Sequence, residues 1–409
     1  MHIVIISPSW PRQGAANGIV TYSDNMVVAL RAQGHEVSVL ARRRTCPDSD
    51  DSFIANDNCT FITDYQPTFF EKLIARIGEA ISIGFSVYYI GGRSILAGIR
   101  RIEKKRTIDI LEMEESFGWH YFLQPKVNFP IVMRLHGPHY VNGTLSDRPL
   151  NEWDSQRFKR EERAFKSAQY VNSPCQWMLD EVQAKYNVRW PLQAVFFNPL
   201  PVLDKDDCWH SKSYTPKQIL FVGRFDSHKG GDIVIQAFAK IIAKEPSATL
   251  LFVGPDPGVE HADGKMRIQE AIDNCLPKEQ RSSLRYIGPS SGSLIQQLRR
   301  ESHITVMASR NEILGYTVVE SLASAAPIVA PYVGGVREVF DDGVSGVFFR
   351  GGDADDLAQK VMTLFDDTPT LEKIAAEGYK HCRQAFSLEK IGRQASNFYT
   401  LAVQQYEQE

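Results

Sequence analysis

The segment Arg310-Asn-Glu-Ile-Leu-Gly-Tyr-Thr-Val-Val-Glu-Ser-Leu-Ala323 sets two carboxylates, Glu312 and Glu320, on either side of a glycine at the entry to a helix. A strand ends near Met307, a short loop carries Glu312, and Gly315 permits a tight turn. Backbone N–H groups from Leu314 to Thr317 then lack intrahelical partners, and such an array attracts phosphate. Glu320, about one turn into the helix and flanked by Val318, Val319 and Leu322, is placed to accept hydrogen bonds from ribose hydroxyls. Taken alone, it reads equally well as a solvent-facing glutamate near a helix N-terminus.

A second strand-to-helix segment, Phe221-Val-Gly-Arg-Phe-Asp-Ser-His-Lys-Gly-Gly-Asp232, carries Arg224 and Lys229 around a glycine turn. A guanidinium and an ammonium there would neutralise a diphosphate and stabilise it as a leaving group, although an isolated Arg/Lys loop is usually just solvated. In the first loop, Gly14 and Gly18 precede a helix and would let a phosphate approach the backbone. Their spacing is not Gly-x-Gly-x-x-Gly, so the nicotinamide-cofactor fingerprint is absent. Met133-Arg-Leu-His136-Gly-Pro138 sets His136 at a strand end, where a lone histidine is more often structural than catalytic. Glu115, closing Glu112-Met-Glu-Glu115, is a candidate acceptor contact, against the plainer reading of a salt-bridged surface carboxylate. Arg100, Arg101, Lys104, Lys105 and Arg106, beside Tyr88-Tyr89, read as a solvated helix end, with an acidic membrane surface or a lipid-pyrophosphate acceptor as the sharper alternative.

These segments need rigid strand ends to hold them. With 409 residues and 43% apolar content the chain can fill two cores. His2–Ser7 reads as a strand and not as a secretory leader, a helix carries Val20, Met26, Val27 and Leu30, Gly34 stops it, and Val37–Leu40 is the next strand. Ile108–Leu111 and Ile131–Leu135 follow as strands. The second half repeats the pattern with strands Gln218–Val222, Thr249–Val253, Ile304–Met307 and Ile328–Ala330 and a helix Asp232–Ala243. Alternating strands and helices imply parallel sheets, and ligands bind beyond the carboxyl ends of such strands. The polar stretch from Asn198 to Lys217 reads as a linker, and Leu388–Gln408 as one long helix. Ala80–Ile99 is too interrupted for a membrane span. A net charge of −3 argues against general nucleic-acid binding, and six scattered cysteines without a Cys-x-x-Cys pair fit a reduced, cytoplasmic setting.

Together the four segments resemble the GT-B retaining glycosyltransferases of family four (group 1). The pattern is carried by Gly223-Arg224 through Lys229-Gly230, by Glu312 and Glu320, by Pro327-Ile-Val329, by Gly334-Gly-Val-Arg-Glu338 and by Asp342-Gly-Val-Ser-Gly346. It holds its order across roughly Ile219 to Leu357 and is looser in the first half. The resemblance implies an α/β chain of two Rossmann-like domains facing a central cleft. Residues 1–200 would form the acceptor domain, 201–386 the nucleotide-sugar domain, and 387–409 a terminal helix crossing back onto the first. It further implies that Arg224 and Lys229 bind the donor diphosphate and Glu320 the ribose. Glu312 and the Ile313, Leu314, Gly315 and Tyr316 backbone would lie against the transferred sugar. Gly18 would let its loop reach the phosphates, and His136 would lie near the sugar. Departures are mild: Leu314 replaces a usual phenylalanine, Ala308-Ser309 a usual Pro-Ser, Ala326 a usual glycine and Asn198-Pro199 a usual Asn-Gly.

The expected reaction is hexose transfer, with retention, from a nucleoside-diphosphate sugar to a glycan, lipid-linked or small-molecule acceptor in cell-envelope polysaccharide synthesis. The expected setting is cytoplasmic, with peripheral contact at the inner membrane surface as an option. No cofactor or metal is expected, because Asp48-Ser-Asp50, Asp204-Lys-Asp206 and Asp353-Ala-Asp355 all fall outside the loops that would hold a diphosphate. The competing readings are a nucleotide-sugar epimerase of the same architecture and a non-catalytic sugar-nucleotide-binding paralogue; a nicotinamide dehydrogenase lacks its glycine fingerprint.

Overall fold

The computed structural model describes residues 1–10, 17–43, 59–143, 149–261 and 264–408. The chain divides into two compact units: one drawn from residues before Leu200 together with the stretch from Leu388 onward, the other running Leu200–Ser387.

The first unit is built on strands β1 (His2–Trp10), β2 (Glu36–Arg43), β3 (Cys59–Phe61), β4 (Ile110–Glu114), β5 (Ile131–Arg134), β6 (Tyr170–Ser173) and β7 (Leu192–Val195). They pair in parallel in the order β3-β2-β1-β4-β5-β6-β7. A parallel sheet covered by helices on both faces demands a continuous apolar run, and Ile3, Val4 and Ile5 are all buried accordingly. The helix Gly18–Ala32 follows, with the Asn17 side chain accepting the Ile19 N–H at its N-cap.

The helix Leu388–Tyr406 packs on that first helix. Gly392 lies so close that a Cβ there would sit 2.7 Å from the Ala29 carbonyl oxygen. Its Tyr399 hydroxyl donates to Glu112 Oε2 at 2.5 Å, while Tyr22 donates to Oε1 at 2.8 Å and Asn172 Nδ2 to Oε2 at 3.1 Å. Burial, with the Glu112 charge beside it, pushes the Tyr399 phenol well above its ordinary pKa, so it stays a donor. Arg134, fully buried, donates to Asn172 Oδ1, Asn198 Oδ1 and the Phe196 carbonyl, and lies over the Tyr22 and Phe196 rings. Glu112 and Arg134 thus share one continuous polar network, in which Arg134 Nε has no hydrogen-bond partner among the described residues.

The second unit carries strands β8 (Thr215–Val222), β9 (Thr249–Val253), β12 (Leu284–Gly288), β13 (Ser302–Val306), β14 (Ile328–Pro331) and β15 (Val347–Phe349), in the parallel order β12-β9-β8-β13-β14-β15. A small hairpin, β10 (Val259–His261) with β11 (Gly264–Met266), stands apart. Ile219, Phe221, Phe252, Ile304 and Val329 form its core with the helices Gly231–Lys244 and Ala354–Phe365. Strand order reverses between β1 and β4 in one sheet and between β8 and β13 in the other. Those two points are where ligands bind in doubly wound sheets.

Several details differ from the sequence reading. β4 starts at Ile110 and extends to Glu114, with Ile108 buried just ahead of it. The stretch from Asn198 to Lys217 is not a simple linker. Trp209 and Cys208 are buried in the second unit, the Trp209 indole donates to the Ser302 carbonyl, and β8 begins at Thr215. The apolar stretch Ala80–Ile99 is divided between the helices Phe69–Ile81 and Phe85–Glu103, which break at Ser82–Gly84. Among the described residues, no helix is long and apolar enough to cross a membrane.

The network makes Tyr399→Phe a test of how the terminal helix is held. It removes one donor from a buried carboxylate and should destabilise the protein by about 1.5–3 kcal/mol. A urea midpoint equal to wild type would show that Glu112 does not depend on that contact.

Candidate functional site

In the second unit, the loops that leave β8 and β13 at the sheet's reversal point are fastened together. The His228 carbonyl accepts the Arg310 N–H at 2.9 Å, and His228 Nε2 bonds the Asn311 carbonyl at 3.0 Å. The Arg310 guanidinium clasps Asp232 with both terminal nitrogens, at 3.0 and 2.6 Å, a bidentate geometry that fixes orientation as well as distance. Between these contacts the Lys229 ammonium meets Glu312 Oε2 at 2.5 Å. Burial pushes the Glu312 carboxyl up, but the Lys229 charge and hydrogen bond, with His228 and the Ile313 amide, together outweigh it and leave the group below its ordinary pKa. Burial, then the neighbouring Lys229, holds the His228 imidazole low.

A third loop, after β14, closes on the same carboxylate residue. Gly335 N–H donates to the Glu312 carbonyl, and a Cβ on Gly334 (φ +48) would lie 2.1 Å from that oxygen. The Gly334-Gly335 pair is therefore a close-approach requirement of the Glu312 loop. Gly315 takes φ +76 and caps the helix Tyr316–Ala323, its carbonyl accepting the Val318 and Val319 N–H groups. The Ile313 and Leu314 side chains are buried, so this turn can present only backbone, together with the half-exposed Tyr316.

Arg224 is exposed and paired with Asp226 at 2.6 Å. Glu320 is a third exposed, and its Oε2 is held at 2.5 Å by the buried Arg299 guanidinium. Arg299, Asp226 and His228 were not singled out from sequence. Arg299 sits in a Leu-Arg-Arg-Glu run that resembles any solvated helix face, so no local signal marked it.

In the first unit, Gly18 opens its helix, whereas Gly14 and the Asp48-Ser-Asp50 motif lie outside the described residues. His136 follows β5, its ring 4.8 Å from Tyr22 edge to face. Burial, with Arg134 nearby, holds the His136 imidazole well below its ordinary pKa, so it is neutral at pH 7. Glu115 corrects its sequence reading. It is neither an exposed acceptor contact nor a surface ion-pair carboxylate. It is buried, and its two oxygens accept the His136 and Gly137 N–H groups at 2.9 and 2.7 Å. The end of β4 thereby braces the loop after β5. Burial, with Glu114 and Glu161 near, pushes its carboxyl up to about 8, against the pull of the His136 amide.

The two described Asp-x-Asp motifs have structural positions. Asp204 precedes the short turn Lys205–Asp207, while Asp353 caps the helix Ala354–Phe365 by accepting the Asp355 and Asp356 N–H groups.

Comparison with known proteins follows the same division. Residues 207–381 match the family model for glycosyl transferases group 1, and residues 16–196 that for glycosyltransferase family 4. The chain is similar to a D-inositol 3-phosphate glycosyltransferase of Thermomonospora curvata, 30% identical over 40% of this chain and 38% of that protein. It is also similar to the uncharacterized glycosyltransferase MJ1607 of Methanocaldococcus jannaschii, 27% identical over 53% of this chain and 51% of that protein. The matched region thus spans about half or less of these curated relatives. Among solved structures, sucrose-phosphate synthase of Thermosynechococcus elongatus aligns with a TM-score of 0.74 at 18% identity over 98% of each chain. Anabaena Alr3699/HepE, solved in complex with UDP-glucose, aligns at 0.67 and 16% identity over 98% of this chain and 99% of that one. At these identities the likeness is one of fold, and that fold is GT-B.

The Glu115 brace generates a direct expectation. Glu115→Ala leaves the His136 and Gly137 N–H groups without their acceptors in a buried site, so unfolding should become easier by about 1–3 kcal/mol. Unchanged thermal and urea midpoints would mean that the loop carrying His136 is held by other contacts.

Proposed function

The chain belongs to the group 1 (family four) glycosyltransferases, and on that premise we propose that it transfers a hexose from a nucleoside-diphosphate sugar to a hydroxyl of a glycan, lipid-linked or small-molecule acceptor. The setting we propose is cytoplasmic synthesis of a cell-envelope polysaccharide. The observation that carries the donor assignment is the Lys229–Glu312 pair, held at the reversal point of the second sheet beside Arg224. An ammonium fixed there by a carboxylate is preorganised for a diphosphate and needs little rearrangement to receive it. Arg224 adds a guanidinium, the turn into the helix Tyr316–Ala323 adds backbone N–H groups, and Glu320, oriented by Arg299, takes the ribose. HepE, of the same fold, is described in complex with UDP-glucose, which supports a UDP-sugar as donor.

In this reading the bond between the anomeric carbon and the diphosphate oxygen breaks as the acceptor hydroxyl attacks from the same face. The departing phosphate oxygen takes the acceptor's proton, and the nucleoside diphosphate leaves with the bonding electron pair. Lys229 and Arg224 offset the charge that develops on it. Neutral His136 and the Glu312 loop shape the environment of the sugar, and retention follows from same-face attack.

Lys229→Ala should weaken nucleoside-diphosphate binding by roughly ten- to a hundredfold, in line with a lost charge-assisted contact. It should also lower turnover while circular dichroism stays native. Calorimetry giving wild-type affinity for UDP and GDP would remove the diphosphate assignment.

The mechanism makes a second expectation about stereochemistry and metal. The anomeric proton coupling of the product should match that of the donor, and most activity should survive a chelator, since the cations are side chains. An inverted product would overturn same-face attack; activity abolished by chelator and restored by magnesium or manganese would overturn the cationic cradle.

A further inference from the structure

The helix Phe69–Ile81 is mounted with its apolar side outward. Phe69 is 75% exposed, Phe70 74% and Ile81 81%, and Leu73, Ile74 and Ile77 are exposed with them. At about 100° per residue these six side chains form one continuous stripe. Ala75 and Glu71, on the other side, are the buried positions. Ile83 and Val87 extend the exposed apolar surface beyond the helix.

This is not a loosely attached segment. Thr68 and Glu71 form a capping box, Glu71 also accepts Arg93 Nε at 2.5 Å, and Gly78 leaves room for the Phe85 ring, which a Cβ would overlap. Burial pushes the Glu71 carboxyl up, but hydrogen bonds from Tyr65, Thr68 and Arg93 outweigh it and hold the group at about 2, so it stays charged and engaged inward. Glu79 likewise turns inward, accepting the Gly84 and Ser86 N–H groups at 2.7 Å each. The helix therefore spends both carboxylates on its own support. Its outward charges are Lys72 and Arg76, exposed and without an ion pair among the described residues. They border a groove of about 490 Å³ shared with Ala75, Ala80 and Ile90.

We propose that this face docks on an anionic phospholipid bilayer, with the Phe69–Ile81 stripe entering the headgroup boundary and Lys72 and Arg76 meeting lipid phosphates. An apolar stripe with aromatics at one end and two exposed cations at its edge, beside a Glu79 already engaged by backbone N–H groups, fits a bilayer surface. On this helix the cations and the apolar stripe lie side by side. In the basic run at Arg100–Arg106 the arginines are engaged elsewhere, Arg100 with Glu103 and the Lys126 carbonyl, Arg101 with Asp64 and the Phe61 carbonyl, Arg106 with Glu36, while Lys104 and Lys105 remain exposed. The proposal uses no residue of the donor site and stands apart from the transfer reading.

The test is sedimentation of the full chain with vesicles of phosphatidylcholine alone and with added phosphatidylglycerol. Wild type should bind the anionic vesicles and release from them as salt rises. Phe69→Ser/Phe70→Ser should weaken that binding about tenfold or more. Lys72→Glu and Arg76→Glu should each weaken it about fivefold, on anionic vesicles only. Because the changed side chains are exposed, all variants should keep wild-type nucleoside-diphosphate affinity, so failure of docking and failure of the donor assignment are separable. No binding of wild type to anionic vesicles, or equal binding by the double serine variant, overturns the proposal. A concentration-dependent dimer that the serine changes abolish, with no vesicle binding, assigns the face to a second copy of the chain instead.

Discussion

The Lys229–Glu312 pair is the contact on which the second unit's loop geometry turns. It joins two loops that leave adjacent parallel strands, β8 and β13, at the point where strand order reverses. Taking either charge partly out of water is unfavourable alone, so each requires the other. The surrounding contacts serve that requirement: the Arg310–Asp232 clasp, the His228–Asn311 bond and the close approach of Gly334 all bring the two loops to ion-pair distance. The same contact helps hold Glu312 in its charged form.

The first unit solves a related problem with a different device. Two of its buried ionisable groups, Glu112 and Arg134, are bridged by Asn172, and aromatic residues complete the set. Tyr22 serves twice, donating to Glu112 and meeting the His136 ring edge to face. Since Tyr399 reaches the same carboxylate, the last helix of the chain is tied into the floor beneath the His136 loop. Glu115 braces that loop from the neighbouring strand, so its carboxylate is a support and not a ligand-facing group.

Charge is distributed with equal economy on the outer surface. On the helix Phe69–Ile81 both carboxylates are drawn inward to cap and anchor, which leaves an apolar stripe and two cations facing water. On the helix end at Arg100–Arg106 the arginines are drawn onto carboxylates and carbonyls.

The sequence by itself determined the fold class and the parallel sheets. It could do so because buried strands read as apolar runs and glycine turns mark strand-to-helix crossings, both local properties. Strands such as β6, β7 and β12 escaped that reading because Asn172, Gln193 and Arg285 interrupt their apolar runs, whereas β5, β9 and β14, though no longer in length, are apolar enough to read. The partners of the reactive groups escaped it as well. Arg299 beside Glu320 and the amides beside Glu115 are contacts between separate elements, which no spacing along the chain encodes. Nor could periodicity tell which side of the Phe69–Ile81 helix faces water: an apolar stripe reads as a core face until tertiary packing decides, and here packing buried Ala75 and Glu71 and left the stripe outside.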